Sequence, residues 1–209
     1  IYNGYDAHTF YPKTLVIESF DITFIGKYYS HYQDCPRLLF AALQSLIATN
    51  QIAIDEVKVH FYTNAVGQAD FAKLAKEYTL DNVVRVHNYI PRSEIVDRMH
   101  HSSIMLVLTT PIKQYGTHGM MGTKFYEILG VEKPCLCLNS DEECLAEAIK
   151  NTHAGLAATH VEDVKAFILE KYQEWKAKGY THQLVINKEQ FTRQHEAEQF
   201  EQVFLQCIK

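Results

Sequence analysis

The chain has 209 residues, 47% of them apolar and 22% charged, a mix that excludes a disordered segment and fits one large domain. Twenty Lys and Arg stand against 25 Asp and Glu, a net charge of −5 with no basic cluster, which argues against nucleic acid as the main partner. The longest apolar runs are roughly five to seven residues, far short of the ~20 that span a bilayer, and no signal peptide or repeat is visible.

The opening, Ile1-Tyr2-Asn3-Gly4-Tyr5-Asp6, has no initiator Met and reads as a segment of a longer protein. Residues 21–26 are apolar and β-branched and end in Gly26, which predicts a buried strand. Residues 36–49 set Leu38, Leu39, Ala42, Leu43, Leu46 and Ile47 at helical spacing, with Pro36 suited to the first turn. A second strand is predicted at 57–62, a helix at 69–78 and a third strand at 83–86. Pro91 breaks the chain, and Ser93 is the expected N-cap of the helix that follows. Residues 104–108 contain no polar side chain, so that strand should be central and covered on both faces.

Residues 109–122 read as a glycine-containing loop, 123–129 as a short helix and 134–138 as the fifth strand. A helix over 141–150, capped by Ser140 or Asp141, precedes a short strand at 155–158. A long helix over 161–178 stops at Gly179, and a last helix covers 188–207. Strands alternating with helices imply right-handed βαβ units and a mostly parallel sheet of about six strands. The expected fold is α/β, a Rossmann-like three-layer α/β/α sandwich, with residues 1–187 as the domain and 188–209 as a helical extension.

Cys35, Cys135, Cys137, Cys144 and Cys207 are odd in number and contain no C-x-x-C pair. They read as buried, reduced thiols of a cytosolic protein rather than a zinc site. His100 and His101 read as surface residues at a helix end. No G-x-G-x-x-G, Walker motif, G-x-S-x-G or D-x-D occurs, which removes the main support for dinucleotide, P-loop, hydrolase and carboxylate-held metal chemistry.

Ligands of open α/β sheets bind at the C-terminal strand ends, which selects the loops after Gly26, Tyr62, His87 and Leu108. Gly26 permits close backbone approach, and Lys27 beside it could meet a phosphate. The stretch from Tyr115 to Leu129 runs from glycines straight into a helix start. Free amides and the positive dipole end there favour an anion. Lys124 in the first turn is electrostatically misplaced unless an anion is near. Glu127, one turn on, could accept from two vicinal ribose hydroxyls, or could be an ordinary solvated carboxylate. His118 could touch a diphosphate or a sugar.

Asn3-Gly4-Tyr5-Asp6, Phe24-Ile25-Gly26 before a Leu-rich helix, and Lys124-Phe125-Tyr126-Glu127-Ile128-Leu129-Gly130 with Lys133-Pro134 resemble one family. It is the retaining nucleotide-sugar glycosyltransferases of GT-B fold, the glycosyl transferases group 1. The resemblance runs through nearly the whole chain in order. It implies the C-terminal, donor-binding half, with the acceptor held by a separate N-terminal half.

By the same resemblance, Glu127 grips the donor ribose, and the turn Gly119-Met120-Met121-Gly122-Thr123 offers amides to the diphosphate. Gly26 borders the same phosphates, while His118 either reaches the diphosphate or sugar or is only a polar loop residue. Ile90, in the Asn88-Tyr89-Ile90-Pro91 loop, frames the base through its backbone. Lys27, Arg37 and Lys124 supply the cations that act on the leaving diphosphate. The donor would be UDP- or GDP-linked, with no metal and no further cofactor. The acceptor would be a glycan or lipid-linked sugar in bacterial cell-surface polysaccharide synthesis, and the setting cytoplasmic or at the inner membrane face. The isolated chain should bind the nucleotide without turning over sugar.

One departure is clear. Many members carry a second glutamate eight positions before the Glu127 equivalent, and here that position is Gly119. A nucleotide-sugar epimerase of the same fold and a non-catalytic nucleotide-binding α/β module are the alternatives. The last helix, with Phe191, Phe200, Val203 and Phe204, could pack on its own sheet, return to the other half or drive self-association.

Overall fold

The computed structural model describes residues 3–29, 36–109, 121–140 and 143–207. In chain order the elements are β1 (Phe20–Ile25), α1 (Arg37–Ala48), β2 (Val57–Tyr62), α2 (Ala65–Glu77), β3 (Val84–His87), α3 (Arg92–His100) and β4 (Ile104–Leu108). They continue as α4 (Thr123–Val131), β5 (Cys135–Leu138), α5 (Cys144–Thr152), β6 (Gly155–Ala158), α6 (Val161–Lys178), a 3-10 turn (Lys188–Phe191) and α7 (Arg193–Cys207).

All six strands are parallel, in the order β3-β2-β1-β4-β5-β6. The chain winds outward from β1 to β3, crosses back, and winds outward again from β4 to β6. The order reverses between β1 and β4, so the crevice beyond their C-terminal ends is where such a sheet binds ligands. β4, the strand without polar residues, occupies the expected interior place beside β1 and β5.

Alternation along the strands divides the core into two layers. Ile22, Phe24, Val59 and Phe61 face α1, α2 and α6, where Leu39, Phe71 and Ile168 cover them. Ile25, Tyr62, Met105, Cys135 and Cys137 face the other way, toward Met99 of α3 and the buried side of α4 and α5. Burial pushes the Cys135 thiol up to about 12, so it remains an inert apolar filler. Among the described residues no trio of His, Cys, Asp or Glu is placed to hold a metal ion. No described helix is long and apolar enough to cross a membrane.

Four expectations need correction. α2 begins at Ala65, a turn earlier than its apolar pattern, because extended Asn64 starts the helix ahead of its first buried face. Ser93 lies inside α3, whose N-cap is Pro91. α5 starts at Cys144 with Glu143 as N-cap, so Ser140 lies outside the helix, and Asp141 is outside the described residues. His100 is only 2% exposed, held by the Tyr11 carbonyl 2.8 Å from its Nε2, and burial lowers its pKa.

The last helix is also interrupted. Thr192 is extended and forms a parallel bridge with Tyr5. The Tyr5 amide donates to the Phe191 carbonyl at 2.9 Å, and the Arg193 amide donates to Tyr5 at 3.0 Å. A Cβ on Gly4 would lie 2.7 Å from the Phe191 oxygen, so this approach needs glycine. The Thr192 hydroxyl then accepts from the His195 amide and starts α7, none of whose residues is buried.

Candidate functional site

At the end of β1 the Gly26 amide donates to the Tyr62 carbonyl at 3.1 Å, extending the ladder one residue past the strand. Among the described residues the nearest atoms that a Cβ there would meet are those of the Phe24 ring, at 3.4 Å, an ordinary contact. Lys27 lies next, its Nζ 4.7 Å from the centre of the Tyr29 ring.

Tyr28 turns inward and anchors this loop. Its ring packs 4.7 Å from that of Phe71. Its amide donates to Asn64 Oδ1 at 3.0 Å, and Asn64 Nδ2 donates back to its carbonyl at 3.2 Å. Asn64 thus spends its side chain on holding the β1 loop rather than on capping α2. Gln68 extends the link: its Nε2 reaches the Thr63 carbonyl and Asn88 Oδ1, each at 3.0 Å. Side-chain amides therefore tie together the loops after β1, β2 and β3.

Gly67 permits this arrangement, because a Cβ would lie 2.8 Å from Tyr28 Cβ and from Thr63 Cγ2. Gly67→Ala is expected to cost about 1–3 kcal/mol and to loosen the loop around Lys27. Urea unfolding, read with protection of the Tyr28 amide against exchange, checks this. An unchanged midpoint with full protection would refute it.

The opposite wall is the start of α4. Its N-cap, Gly122, is extended and supplies no side-chain cap, and among the described residues nothing lies within 4 Å of where its Cβ would stand. The first amides of a helix have no partner within it, and this first turn holds no acidic residue. Lys124 Nζ instead lies 2.5 Å from Glu127 Oε2, with the side chains 28% and 16% exposed. The carboxylate one turn on offsets the cation that the dipole disfavours. Glu127 is therefore a half-buried, charge-paired group rather than a freely solvated one.

α4 itself is rigidly seated. Phe125, Tyr126, Ile128, Leu129 and Val131 are buried. A Cβ on Gly130 would meet Tyr5 Cδ2 at 2.6 Å and Phe10 Cβ at 2.8 Å, so residues 5–10 press directly on the helix.

Of the residues singled out from sequence, the structure brings Lys124 and Glu127 together. Lys27 meets Tyr29, and Arg37 pairs with Glu77, the last residue of α2, at 3.4 Å on the surface. Met121 and Ile90 pack against the second core layer. His118, Gly119 and Met120 lie outside the described residues. Sequence reasoning passed over Asn64 and Gln68. Their only signal was a pair of side-chain amides four residues apart at the helix start that follows β2.

Solved glycosyltransferases share this fold. The lipopolysaccharide outer core galactosyltransferase WaaB, in its apo form, matches with a TM-score of 0.64 at 14% identity, over 92% of this chain and 51% of that one. HepE of Anabaena, in complex with UDP-glucose, matches with a TM-score of 0.65 at 14% identity, over 97% and 57%. The C-terminal domain of the glycosyl transferase group 1 family protein LpcC from Francisella tularensis matches with a TM-score of 0.54 at 10% identity, over 85% and 99%. This chain spans about half the length of the first two and almost all of the isolated domain. Neither a protein-family model nor a curated protein sequence matches it. The chain has the Rossmann-like fold of the C-terminal half of a GT-B glycosyltransferase.

Proposed function

We propose that the chain is the donor domain of a retaining glycosyltransferase and binds a nucleoside-diphosphate sugar, UDP- or GDP-linked. The observation that carries this reading is the Lys124–Glu127 pair in the first turns of α4, beside the β1–β4 switch point. HepE, which has the same fold, holds UDP-glucose, and that supports the ligand class.

In this reading Glu127 accepts from the two ribose hydroxyls. The amides of residues 119–123, with Lys27, Arg37 and Lys124, face the diphosphate, bordered by Gly26 and His118. Ile90 frames the base. Breaking the anomeric C–O bond builds negative charge on the departing diphosphate, and fixed cations and amides stabilise it without reorganisation. Retention follows if the acceptor attacks from the side the diphosphate leaves. A second domain positions that acceptor, a glycan or lipid-linked sugar at the inner membrane face of a bacterium, and the C-terminal residues from 188 on pack on this domain or on that one.

The test is calorimetric titration with UDP, GDP, ADP and CMP, on this chain and on Glu127→Ala. One nucleotide is expected to bind saturably, and the variant to weaken it tenfold or more. Unchanged binding by the variant would remove Glu127 from the site, and no binding by any nucleotide would overturn the reading. Product analysis with donor and acceptor should find no turnover by the isolated chain.

A further inference from the structure

On the sheet face turned toward α3, a polar column crosses three strands. His60 lies in β2, and His87 ends β3 directly opposite Tyr62. His60 Nδ1 and His87 Nε2 are 3.0 Å apart. Two ring nitrogens can be that close only with one proton between them. The other nitrogen of His60, Nε2, faces Asp21 Oδ2 of β1 at 3.5 Å, and the Ser19 hydroxyl donates to Asp21 Oδ1 at 2.7 Å. The His87 ring is stacked on Tyr62, 4.5 Å between centroids and 16° between planes. Arg98 of α3 stands 5.8 Å from the Tyr62 ring centre.

The pair leads straight into a ligand loop. The His87 carbonyl accepts from the Thr63 amide at 3.1 Å, and the side chain of Asn88, the next residue, is held by Gln68. Tyr89 and Ile90 follow at once.

We propose that His60 and His87 form a proton latch that seats the loop after β3 for nucleotide binding at neutral pH and releases it in acid. The inference rests on the donor reading above and adds two positioning residues and a pH dependence to it. When both rings are neutral, one donates and the other accepts, and the contact holds. One added proton still leaves one N–H between the facing nitrogens, so the contact holds. A further proton on His87 sets N–H against N–H and cation against cation, and the 3.0 Å contact opens.

Charged groups surround the pair. Asp21 of β1 lies beside His60, its Oδ2 3.5 Å from His60 Nε2. Lys58, two residues before His60 on the same face of β2, adds positive charge to the column. Burial first, then His60, Arg98 of α3 and Arg85 of β3, hold the His87 pKa below its ordinary value. Glu94 of α3 and Asp21 act on the neighbouring Tyr62 phenol, whose pKa burial raises.

The experiment uses UDP-glucose, whose phosphates carry constant charge over the range, titrated at about pH 7.5 and about pH 5. Wild-type affinity is expected to fall about tenfold in acid. His60→Asn combined with His87→Gln keeps amide groups where the paired ring nitrogens stood but removes the titration. That variant is expected to bind equally at both pH values, whereas His87→Phe should bind weakly at both.

In the same proteins without ligand, NMR should show the amides of residues 88–90 moving with the His87 ring in wild type and not in the double variant. Flat wild-type affinity, an equal acid loss in the double variant, or amides that ignore His87 would overturn the latch. If UDP-glucose binds none of the proteins at either pH, a UDP-linked donor is ruled out, while the NMR response of the residue 88–90 amides still decides the latch.

Discussion

Gly155→Ala is expected to destabilise the protein by about 3 kcal/mol or more and to detach β6 from the sheet edge. Gly155 opens β6 with φ +151°, a conformation that a side chain strains. An added Cβ would stand 2.0 Å from the Cys135 carbonyl oxygen and 2.7 Å from its amide nitrogen. Those atoms belong to β5, whose Cys135 pairs with Gly155 in register and donates to the Ala154 carbonyl at 2.9 Å. The β5 backbone cannot retreat, because Cys135 is fully buried and β5 is held on its other side by β4, so the edge strand β6 must give way. Urea unfolding at neutral pH measures the loss, and hydrogen exchange at residues 155–158 locates it. A midpoint like that of wild type would refute the steric account.

Lys133→Met is expected to stabilise the protein at neutral pH. Lys133 is 2% exposed, and burial pulls its pKa from 10.5 to about 8, while Glu174 offsets part of that fall. The folded-state pKa is depressed, so the folded protein holds this proton more weakly than the unfolded chain. Below about pH 8 both states carry the ammonium, and the folded state bears the full cost of burying it. Between about 8 and 10.5 the folded protein releases the proton first, and stability rises with pH. At about 1.4 kcal/mol per pH unit the cost is at most roughly 3 kcal/mol. A methionine of similar length removes it, so a gain of about 1–3 kcal/mol is expected at pH 7, shrinking as the pH rises toward 10. Chemical denaturation at several pH values checks both the sign and the slope. A less stable variant at pH 7 would show that the ammonium is better solvated than its burial implies.

The arrangement of strands and helices was largely legible in the chain itself. The apolar run at 104–108 marked an interior strand, and the alternation of strand and helix signals required parallel crossovers. The spacing of Lys124 and Glu127 is a purely local matter, since residues three apart share a helix face. The structure turns that proximity into an ion pair. Helix starts were less legible at Ser93 and Ser140, because a capping residue type does not cap unless the chain enters from the right direction.

Composition, periodicity and motif spacing by themselves determined the α/β class and the parallel sheet. These depend on near-neighbour patterns of period two and 3.6, which any short window reveals. The tertiary structure alone decided the contacts between elements far apart in sequence. Tyr5 breaks the last helix from across the chain, the loop around Tyr11 buries His100, and Asn64 holds the Tyr28 backbone. His60 meets His87 only because β2 and β3 are neighbours in one register. A strand's alternation states which face a residue takes. Which strand lies beside it, and at what offset, is set by the packing of the whole sheet.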